Sequence, residues 1–203
     1  MKIKTLSVGY IGANCYIVEF NDKSVALVDP GDEGDKILGE FDADNLKWIL
    51  LTHGHADHIM AVKMIKDKYN PKIIASIKEK DMIENPDLNL STQFGKPYSF
   101  EADQYVQEGT IKLDNQDVRV LETPGHTPGS VIYIIENYMF TGDTLFKGSI
   151  GRMDLPGGSE DQMKNTLKKL SLIDEDYIVL PGHGPSTSLK YEQKNNSYFL
   201  LFV

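Results

Sequence analysis

The chain contains very little cysteine, which limits the covalent bonds that can hold its fold together. Cys15 is the single cysteine among 203 residues, so no disulfide can form within the chain. A chain without disulfides is typical of a reducing compartment. Because Cys15 lies in an apolar, strand-like run from 14 to 18, we expect it to be a small buried side chain rather than a metal ligand or redox group.

Long apolar runs and an excess of positive charge are also missing. No segment approaches the roughly 20 consecutive apolar residues that cross a bilayer, and residues 1–5 lack the apolar core of a secretory signal. The net charge of −9 argues against binding of nucleic-acid phosphates, which needs clustered Lys and Arg. We therefore expect a cytoplasmic protein that binds neither nucleic acid nor membrane.

Length and pattern favour one domain that spans residues 1–203 and has enough chain for a substantial core. Short apolar runs alternate with helix-like stretches, which predicts an α/β fold. Residues 198–203 are apolar and aromatic, so this end should pack on the domain or on a second subunit, which leaves a homo-oligomer open.

The predicted elements follow from apolar periodicity and turn residues. Strands are expected at 3–8, 14–20, 24–28, 48–51, 72–75, 118–121, 131–135, 138–140 and 177–180. Helices are expected at 57–68, 76–84 and 161–173, with a last one starting near 189. Residues 86–110 are polar and weakly periodic, which predicts a surface loop that could cover a site.

Three of the five histidines lie within six residues. His53, His55 and His58, together with Asp57, come directly after the apolar run 48–51. Histidine is the commonest protein ligand for zinc and similar ions, and this cluster offers more ligands than one ion usually takes. The excess predicts two metal ions side by side, and two-metal sites are mostly hydrolytic.

Ligand-type side chains recur just beyond the ends of five predicted strands. These residues are Asp29, His53, His126, Asp143 and His183. If the strands belong to adjacent sheets, the side chains converge on one edge, where rigid strands position them. Two carboxylates keep alternative roles: Asp57 could ligate, orient the nucleophile or do both, and Asp143 could bridge two ions or form a turn.

The ordered motifs of the chain resemble those of the metallo-β-lactamase superfamily. The similar segments are 24–31, 52–58, 123–129, 141–146 and 181–185. The resemblance implies an αββα sandwich, with two mixed sheets, helices on the outer faces and the metals at one edge. It also implies two divalent ions, with Zn²⁺ expected and Fe or Mn as alternatives.

The same resemblance implies a role for each ligand-type residue. One metal ion would be held by His53, His55 and His126. A second would be held by Asp57, His58 and His183, with Asp143 bridging both. Asp29 matches an aspartate that braces the ligand loops in this superfamily.

Within the superfamily, segments 142–146 and 148–152 resemble the compact bacterial glyoxalase II branch, which hydrolyses hydroxyacyl-glutathione thioesters. The chain lacks the helical domain that longer members use to hold glutathione, and 184–186 lacks their tyrosine. Arg152 alone matches a basic position that grips the thiol, so the thiol carrier stays open. A pairing of Arg152 with Asp154 or Glu160 is the structural alternative.

The predicted function is hydrolysis of a small acyl thioester at a binuclear metal site, with Asp57 and Asp143 as the carboxylates involved in catalysis. Two cations lower the pKa of a water molecule from about 15.7 toward about 7, which supplies hydroxide at neutral pH. The alternatives are a mononuclear iron persulfide dioxygenase and a lactonase or phosphoesterase of the same fold. A zinc-buffering or structural metal protein is the non-enzymatic alternative.

Overall fold

Two six-stranded mixed sheets contain most of the strands, one in each of two compact units. The computed structural model describes all 203 residues. Unit 1 comprises residues 1–75 and 80–105, and unit 2 comprises residues 76–79 and 106–203. That the whole chain folds as a single domain stays a prediction.

The sheet of unit 1 runs in chain order from β1 to β6. Its strands are β1 Lys2–Val8, β2 Ala13–Glu19, β3 Val25–Val28, β4 Leu46–Leu50, β5 Lys72–Ser76 and β6 Gln104–Val106. β1, β2 and β3 pair antiparallel, whereas β3, β4 and β5 pair parallel. Parallel neighbours end at the same edge, so the segments that follow β3 and β4 lie together: Asp29 N donates to Leu50 O at 3.1 Å.

The four helices of unit 1 are short. They are α1 Gly34–Leu38, α2 Ala56–Ile59, α3 Val62–Tyr69 and α4 Lys80–Glu84. The prediction of one continuous helix at 57–68 is therefore wrong, because two helices, α2 and α3, occupy this segment. Ala61 N donates to Pro30 O at 3.1 Å, outside the helix, instead of to the carbonyl four residues earlier. The interruption separates α2, which carries Asp57, from α3.

Residues 86–110 form more structure than the predicted surface loop. They contain a 3₁₀ turn at Ser91–Phe94, strand β6 and the start of the next strand. Asn89 and Ser91 are fully buried. Asn89 donates its side-chain amide to Tyr98 O at 2.8 Å, and its Oδ1 accepts from Ser91 N at 2.9 Å. Hydrogen bonds between nearby polar side chains and the backbone order this segment. It therefore lacks the apolar periodicity from which its structure could have been predicted.

The sheet of unit 2 has the order β14-β13-β10-β9-β8-β7. Its strands are β7 Gly109–Leu113, β8 Gln116–Glu122, β9 Val131–Ile135, β10 Tyr138–Gly142, β13 Ile178–Pro181 and β14 Thr187–Ser188. β10 and β13 are parallel, and the remaining neighbours are antiparallel. A separate hairpin, β11 Leu145–Phe146 with β12 Ser149–Ile150, follows β10.

Three helices complete unit 2: α5 Glu160–Ser171, α6 Leu189–Asn195 and α7 Ser197–Phe202. Ser159 caps α5 by accepting from Gln162 N at 3.3 Å. Met163, Leu167 and Leu170 are fully buried, which confirms the predicted apolar face. At the end of the chain, Phe199 packs into the core of unit 2.

No helix in the structure is both long enough and apolar enough to span a membrane.

Cys15 is fully buried in the core of unit 1, and this burial raises the pKa of its thiol. A buried thiol whose ionisation is suppressed is a poor nucleophile and a poor metal ligand. The prediction that Cys15 acts as a small apolar side chain agrees with this environment.

Candidate metal centre

Unit 1 gathers three histidines and one aspartate directly beyond strand β4. The rings of His53, His55 and His58 are buried. The ring centroid of His53 lies 5.0 Å from that of His55 and 4.2 Å from that of His58. Asp57 is partly exposed, and its Oδ2 lies 3.6 Å from His58 Nε2. The predicted cluster of imidazoles and a carboxylate is therefore present in this unit.

Asp29 organises this cluster from the end of strand β3. Its Oδ1 accepts from Thr52 N at 2.8 Å, and its Oδ2 accepts from Thr52 Oγ1 at 2.6 Å. Its Oδ2 also lies 3.1 Å from His58 Nδ1. Asp29 has a left-handed backbone with φ of 51°, which Asp tolerates better than most residues. Through hydrogen bonds to both of its oxygens, Asp29 braces the loop that carries the histidines.

These contacts determine which ring nitrogen of each histidine carries the proton. The hydroxyl of Thr52 donates its hydrogen bond to Asp29, so Thr52 Oγ1 accepts a hydrogen bond from His53 Nδ1 at 3.1 Å. His58 Nδ1 likewise donates to Asp29. In the neutral forms of both rings, Nε2 then carries the lone pair, and a nitrogen with a lone pair can bind a metal ion.

Helix α2, which carries Asp57 and His58, is stabilised by two features that were not predicted from the sequence. A Cβ atom on Gly31 would lie 1.7 Å from the carbonyl oxygen of Asp57, so only glycine allows this approach. Ala56 N donates to Asn89 O at 2.8 Å, which satisfies an amide at the start of the helix. The Pro30-Gly31 pair was a detectable signal in the sequence, whereas nothing in the sequence marks Asn89.

Unit 2 brings together the other three predicted ligands, His126, Asp143 and His183. Oδ2 of Asp143 lies 3.6 Å from Nε2 of His126 and also 3.6 Å from Nε2 of His183. The parallel strands β10 and β13 produce this arrangement because they end at the same edge, where Gly182 N donates to Gly142 O at 2.8 Å. One carboxylate oxygen thus faces two imidazoles.

His126 is oriented by a backbone group. Its Nδ1 donates to the carbonyl oxygen of Arg152 at 2.8 Å, so Nε2, the atom nearest Asp143, carries the lone pair of the neutral ring. A Cβ atom on Gly151 would lie 1.7 Å from the carbonyl oxygen of Asp143, so glycine is required beside this contact. The sequence indicated a role for the side chain of Arg152 but gave no sign of the role of its carbonyl.

The loops of unit 2 are held by two buried glutamates, which were also not predicted from the sequence. Glu192 accepts from Gly148 N at 2.8 Å, from Thr187 Oγ1 at 2.6 Å and from Asn196 Nδ2 at 2.9 Å. It therefore ties the hairpin that follows Asp143 to the strand that follows His183. Glu79 accepts from Gly129 N at 2.7 Å and so braces the loop that follows His126.

The side chain of Arg152 is exposed and pairs with Asp154. Its Nε donates to Oδ1 at 2.7 Å, and its Nη2 donates to Oδ2 at 2.6 Å. This paired guanidinium lowers the pKa of Asp154 to about 2. The structural alternative for Arg152 is therefore present in the structure, and binding of substrate by Arg152 stays a prediction.

The donors in each unit suit a divalent metal ion. Imidazole nitrogens and carboxylate oxygens are the ligands that Zn²⁺ takes besides cysteine, and they also suit Fe and Mn. A bound cation would stabilise both the buried imidazoles of unit 1 and the single Asp143 oxygen that faces two imidazoles in unit 2. His/Asp clusters that could hold metal are thus present in both units.

Comparisons with known proteins agree with these clusters. The Metallo-beta-lactamase superfamily matches residues 8–183. Hydroxyacylglutathione hydrolase GloC from Haemophilus influenzae is 36% identical over 209 residues, which cover 98% of this chain and 98% of that protein. The solved structure of BLEG-1 B3 metallo-beta-lactamase has a TM-score of 0.91 and 33% identity, covering 98% of this chain and 99% of its own.

A second solved structure, TTHA1623 in a di-iron-bound form, has a TM-score of 0.84 and 33% identity. It covers 96% of this chain and 99% of its own. With two mixed sheets accompanied by helices, and with this similarity over nearly the whole chain, the predicted fold class is confirmed. The chain belongs to the metallo-β-lactamase superfamily.

Proposed function

We propose that this chain is a metal-dependent hydrolase that cleaves a small acyl thioester. The observation that carries the proposal is Oδ2 of Asp143, which lies at the same distance, 3.6 Å, from Nε2 of His126 and Nε2 of His183. An oxygen in this position suits a carboxylate shared by two cations. The similarity to hydroxyacylglutathione hydrolase GloC supports a thioester as the substrate.

In this proposal the ligands of both units serve one binuclear centre. His53, His55 and His126 would hold the first ion, Asp57, His58 and His183 would hold the second, and Asp143 would contribute to both. We favour Zn²⁺, while the di-iron form of TTHA1623 makes iron the first alternative to measure. When bound at these residues, divalent ions would supply a water molecule whose pKa is lowered toward about 7 and positive charge that favours the developing oxyanion.

The residues of the chain supply orientation and proton handling. Asp29 and the carbonyl of Arg152 keep the Nε2 atoms of their histidines available, as described above. Asp57, which is partly exposed, orients the attacking water and accepts its proton. The leaving thiol has an ordinary pKa of about 8.5, so it departs as a thiolate without a dedicated acid.

The test is a metal analysis of the purified protein followed by a thioester panel that is monitored for free thiol. We expect about two metal ions per chain and release of thiol that stops when a chelator is added. Metal-loaded protein that releases no thiol from any thioester would contradict the proposal. One iron per chain with oxygen uptake on a persulfide would instead identify a dioxygenase.

Hydrolysis of β-lactams is a second candidate, because BLEG-1, a B3 metallo-beta-lactamase, is structurally similar over nearly the whole chain. A chromogenic cephalosporin belongs in the same panel. Turnover of the cephalosporin with a higher kcat/KM than every thioester would make this candidate the primary activity.

A further inference from the structure

A cavity in unit 1 opens beside Asp57. Its volume is about 160 Å³, and its walls come from the turn between β1 and β2, from helix α2 and from the 3₁₀ turn at 91–94. We call it the Asp57 pocket. The residues on which the argument depends are Tyr10, Ile11, Asp57, Met60 and Phe94.

Large apolar side chains are unusually exposed around this pocket. Relative to full exposure, Tyr10 is 103% exposed, Ile11 is 50% exposed and Phe94 is 46% exposed. Single exposed apolar residues are common, but a group of them around one cavity marks a binding surface. Met60 adds a flexible thioether that adapts to the shape of a ligand. The lining therefore favours an apolar group.

The volume limits the size of that group. A dry cavity of about 150 Å³ in another protein binds benzene, so the Asp57 pocket accepts one aromatic ring or a short branched chain. A thiol carrier as long as a tripeptide does not fit in this volume.

The charges around the pocket favour a neutral group. Lys96 and Asp32 also line the pocket and contribute one positive and one negative charge, which offset each other. Asp57 is the remaining charged residue, and in the proposed function its charge is offset by a metal ion. A free anion gains little here, whereas an uncharged apolar group gains from leaving water.

We infer that the Asp57 pocket binds the acyl substituent of the substrate, and that the enzyme prefers compact, uncharged and apolar acyl groups. The inference rests on the proposed thioester hydrolase function. Asp57 forms part of the wall, so a group inside the pocket lies beside one of the proposed metal ligands. A thiol carrier larger than the pocket would then lie outside it.

The first experiment compares thioesters of one thiol that differ only in the acyl group: acetyl, isobutyryl, phenylacetyl and succinyl. In the wild type we expect kcat/KM for isobutyryl and phenylacetyl to exceed that for acetyl by about 10-fold, as for added methylenes in an apolar pocket. Succinyl should show no such gain. Phe94→Ala should reduce the ratio of phenylacetyl to acetyl to within about 3-fold.

Tyr191→Ala is the matched control, because Tyr191 is an aromatic residue of similar exposure, 51%, that does not line this pocket. It should keep the wild-type ratio. Equal ratios in the wild type and in Phe94→Ala, or a preference for succinyl, would overturn the inference.

A binding experiment separates this inference from the proposed function. Benzyl alcohol, a neutral probe, is titrated into metal-loaded protein while the methyl NMR signals of Ile11 and Met60 are followed. We expect saturable shifts that are lost in Phe94→Ala and retained in Tyr191→Ala. Saturable shifts without any thioester turnover would support the apolar pocket and reject the thioester function. Turnover without shifts and without an acyl preference would reject the pocket alone.

Discussion

The orientation of the histidine rings depends on residues that are not metal ligands in our proposal. Asp29 accepts hydrogen bonds from His58 Nδ1 and from the hydroxyl of Thr52. The oxygen of that hydroxyl in turn accepts a hydrogen bond from His53 Nδ1. The carbonyl of Arg152 does the same for His126. Such contacts fix the tautomer of a ligand and are a large part of what makes a metal site selective.

Asp29→Asn should therefore weaken metal binding without removing a proposed ligand. Thr52 N can only donate, so the amide oxygen of Asn would remain at the Oδ1 position and the NH2 group would replace Oδ2. This donor would face His58 Nδ1 and would drive the ring of His58 to the tautomer that protonates Nε2. We expect the metal affinity to fall by about 10- to 100-fold, measured by competition with a chelating dye. Asn also tolerates the left-handed backbone at this position, which keeps backbone strain small.

Asp22→Asn is the matched control for this change. Asp22 accepts hydrogen bonds from Ser24 N at 3.0 Å and from Ser24 Oγ at 2.6 Å. Like Asp29, it therefore binds a backbone N–H and a hydroxyl, but neither of these bonds involves a histidine. Its replacement should leave metal affinity unchanged. An equal loss of affinity in both variants would mean that Asp29 acts only through general stability.

Asp143→Asn tests the shared carboxylate. The substitution removes a negative charge that, in the proposal, both ions share, and it should weaken most the second ion, which would be held by Asp57, His58 and His183. We expect the metal content to fall from about two ions per chain toward one, with a loss of activity well beyond about 100-fold. Inductively coupled plasma mass spectrometry gives the first quantity and thiol release the second. Unchanged metal content and rate would reduce Asp143 to a turn residue.

Arg152→Ala tests the predicted contact with substrate against the observed pair with Asp154. If the guanidinium binds an anionic part of the thiol carrier, KM should rise for an anionic thioester and stay unchanged for a neutral aryl thioester. Because the pKa of Asp154 is lowered to about 2, the pair stays charged across the neutral range, and the effect should not vary with pH there. The pair contributes to stability above the ordinary pKa of Asp, and that contribution is lost as the pH falls toward about 2.

Asp154→Ala is the companion variant for Arg152, because it frees the guanidinium without removing it. It should keep or lower the KM for the anionic thioester. Equal effects of Arg152→Ala on both substrates, accompanied by a lower melting temperature, would show that the arginine is structural.

The sequence singled out the proposed ligands, whose role stays a prediction, and the bracing residue Asp29, but it did not indicate the other residues that hold the ligand loops. Histidines such as His53 and His126 stand out because they follow apolar runs and form dense or regularly placed motifs. Glu192 and Glu79 lie in polar stretches where a glutamate is usually solvated, so only the structure reveals that their carboxylates are buried. Asn89 is hidden for the same reason, because its bonds are local and leave no periodic pattern.

At the level of whole elements, all nine predicted strands are present, whereas β6, β7, β11, β12 and β14 were not predicted. β9 at Val131–Ile135 has the predicted bounds, because a run of five apolar residues rich in β-branched and aromatic side chains strongly favours a strand. The break between α2 and α3 was missed because its cause is not local. It depends on Pro30 and Gly31, which come from the end of a distant strand and contact the helix from outside.

Helix α6 acts as a clamp through Glu192, which joins Gly148 to Thr187. Glu192→Ala would leave three donors without their acceptor, and losses of about 1 kcal/mol or more each should lower the stability by about 3 kcal/mol. For a chain of this length we expect the melting temperature to fall by about 10 °C. Because the clamp lies between the segments that carry Asp143 and His183, metal affinity should fall as well.

Glu192→Gln provides the conservative comparison. Its carbonyl oxygen can still accept from Gly148 and Asn196, and its amide can donate to Thr187, whose hydroxyl can accept instead of donating. This variant should recover most of the metal affinity and part of the stability. If the Ala variant lost stability but kept its metal affinity, the clamp would have no role in positioning the ligands.

At the scale of the whole molecule, the apolar end of the chain is only partly covered. Phe199 is buried, whereas Leu200, Leu201 and Val203 remain exposed. Packing of this end on unit 2 agrees with one of the two predicted outcomes. Self-association through the exposed side chains stays a prediction, which light scattering over a range of protein concentrations can measure.

The proposed ligands are divided between the two units, four in unit 1 and three in unit 2. If both sets hold the same two ions, removal of metal should affect both units together. Binding that is about 100-fold above its dissociation constant stabilises a protein by about 2.7 kcal/mol. For a chain of this length, we therefore expect chelation to lower the melting temperature by about 5–10 °C and addition of Zn²⁺ to restore it.

Hydrogen exchange shows where this stabilisation acts. Upon chelation, peptides that cover 51–60 in unit 1 and peptides that cover 124–129 and 180–184 in unit 2 should lose protection together, because each segment loses the ion that its ligands share with the other. The peptide that covers 131–135, within strand β9, serves as the internal reference and should change little. Loss of protection in one unit alone would confine the metal to that unit and contradict a shared centre. The metal content of the same sample, measured before and after chelation, excludes incomplete removal as the reason for such a result.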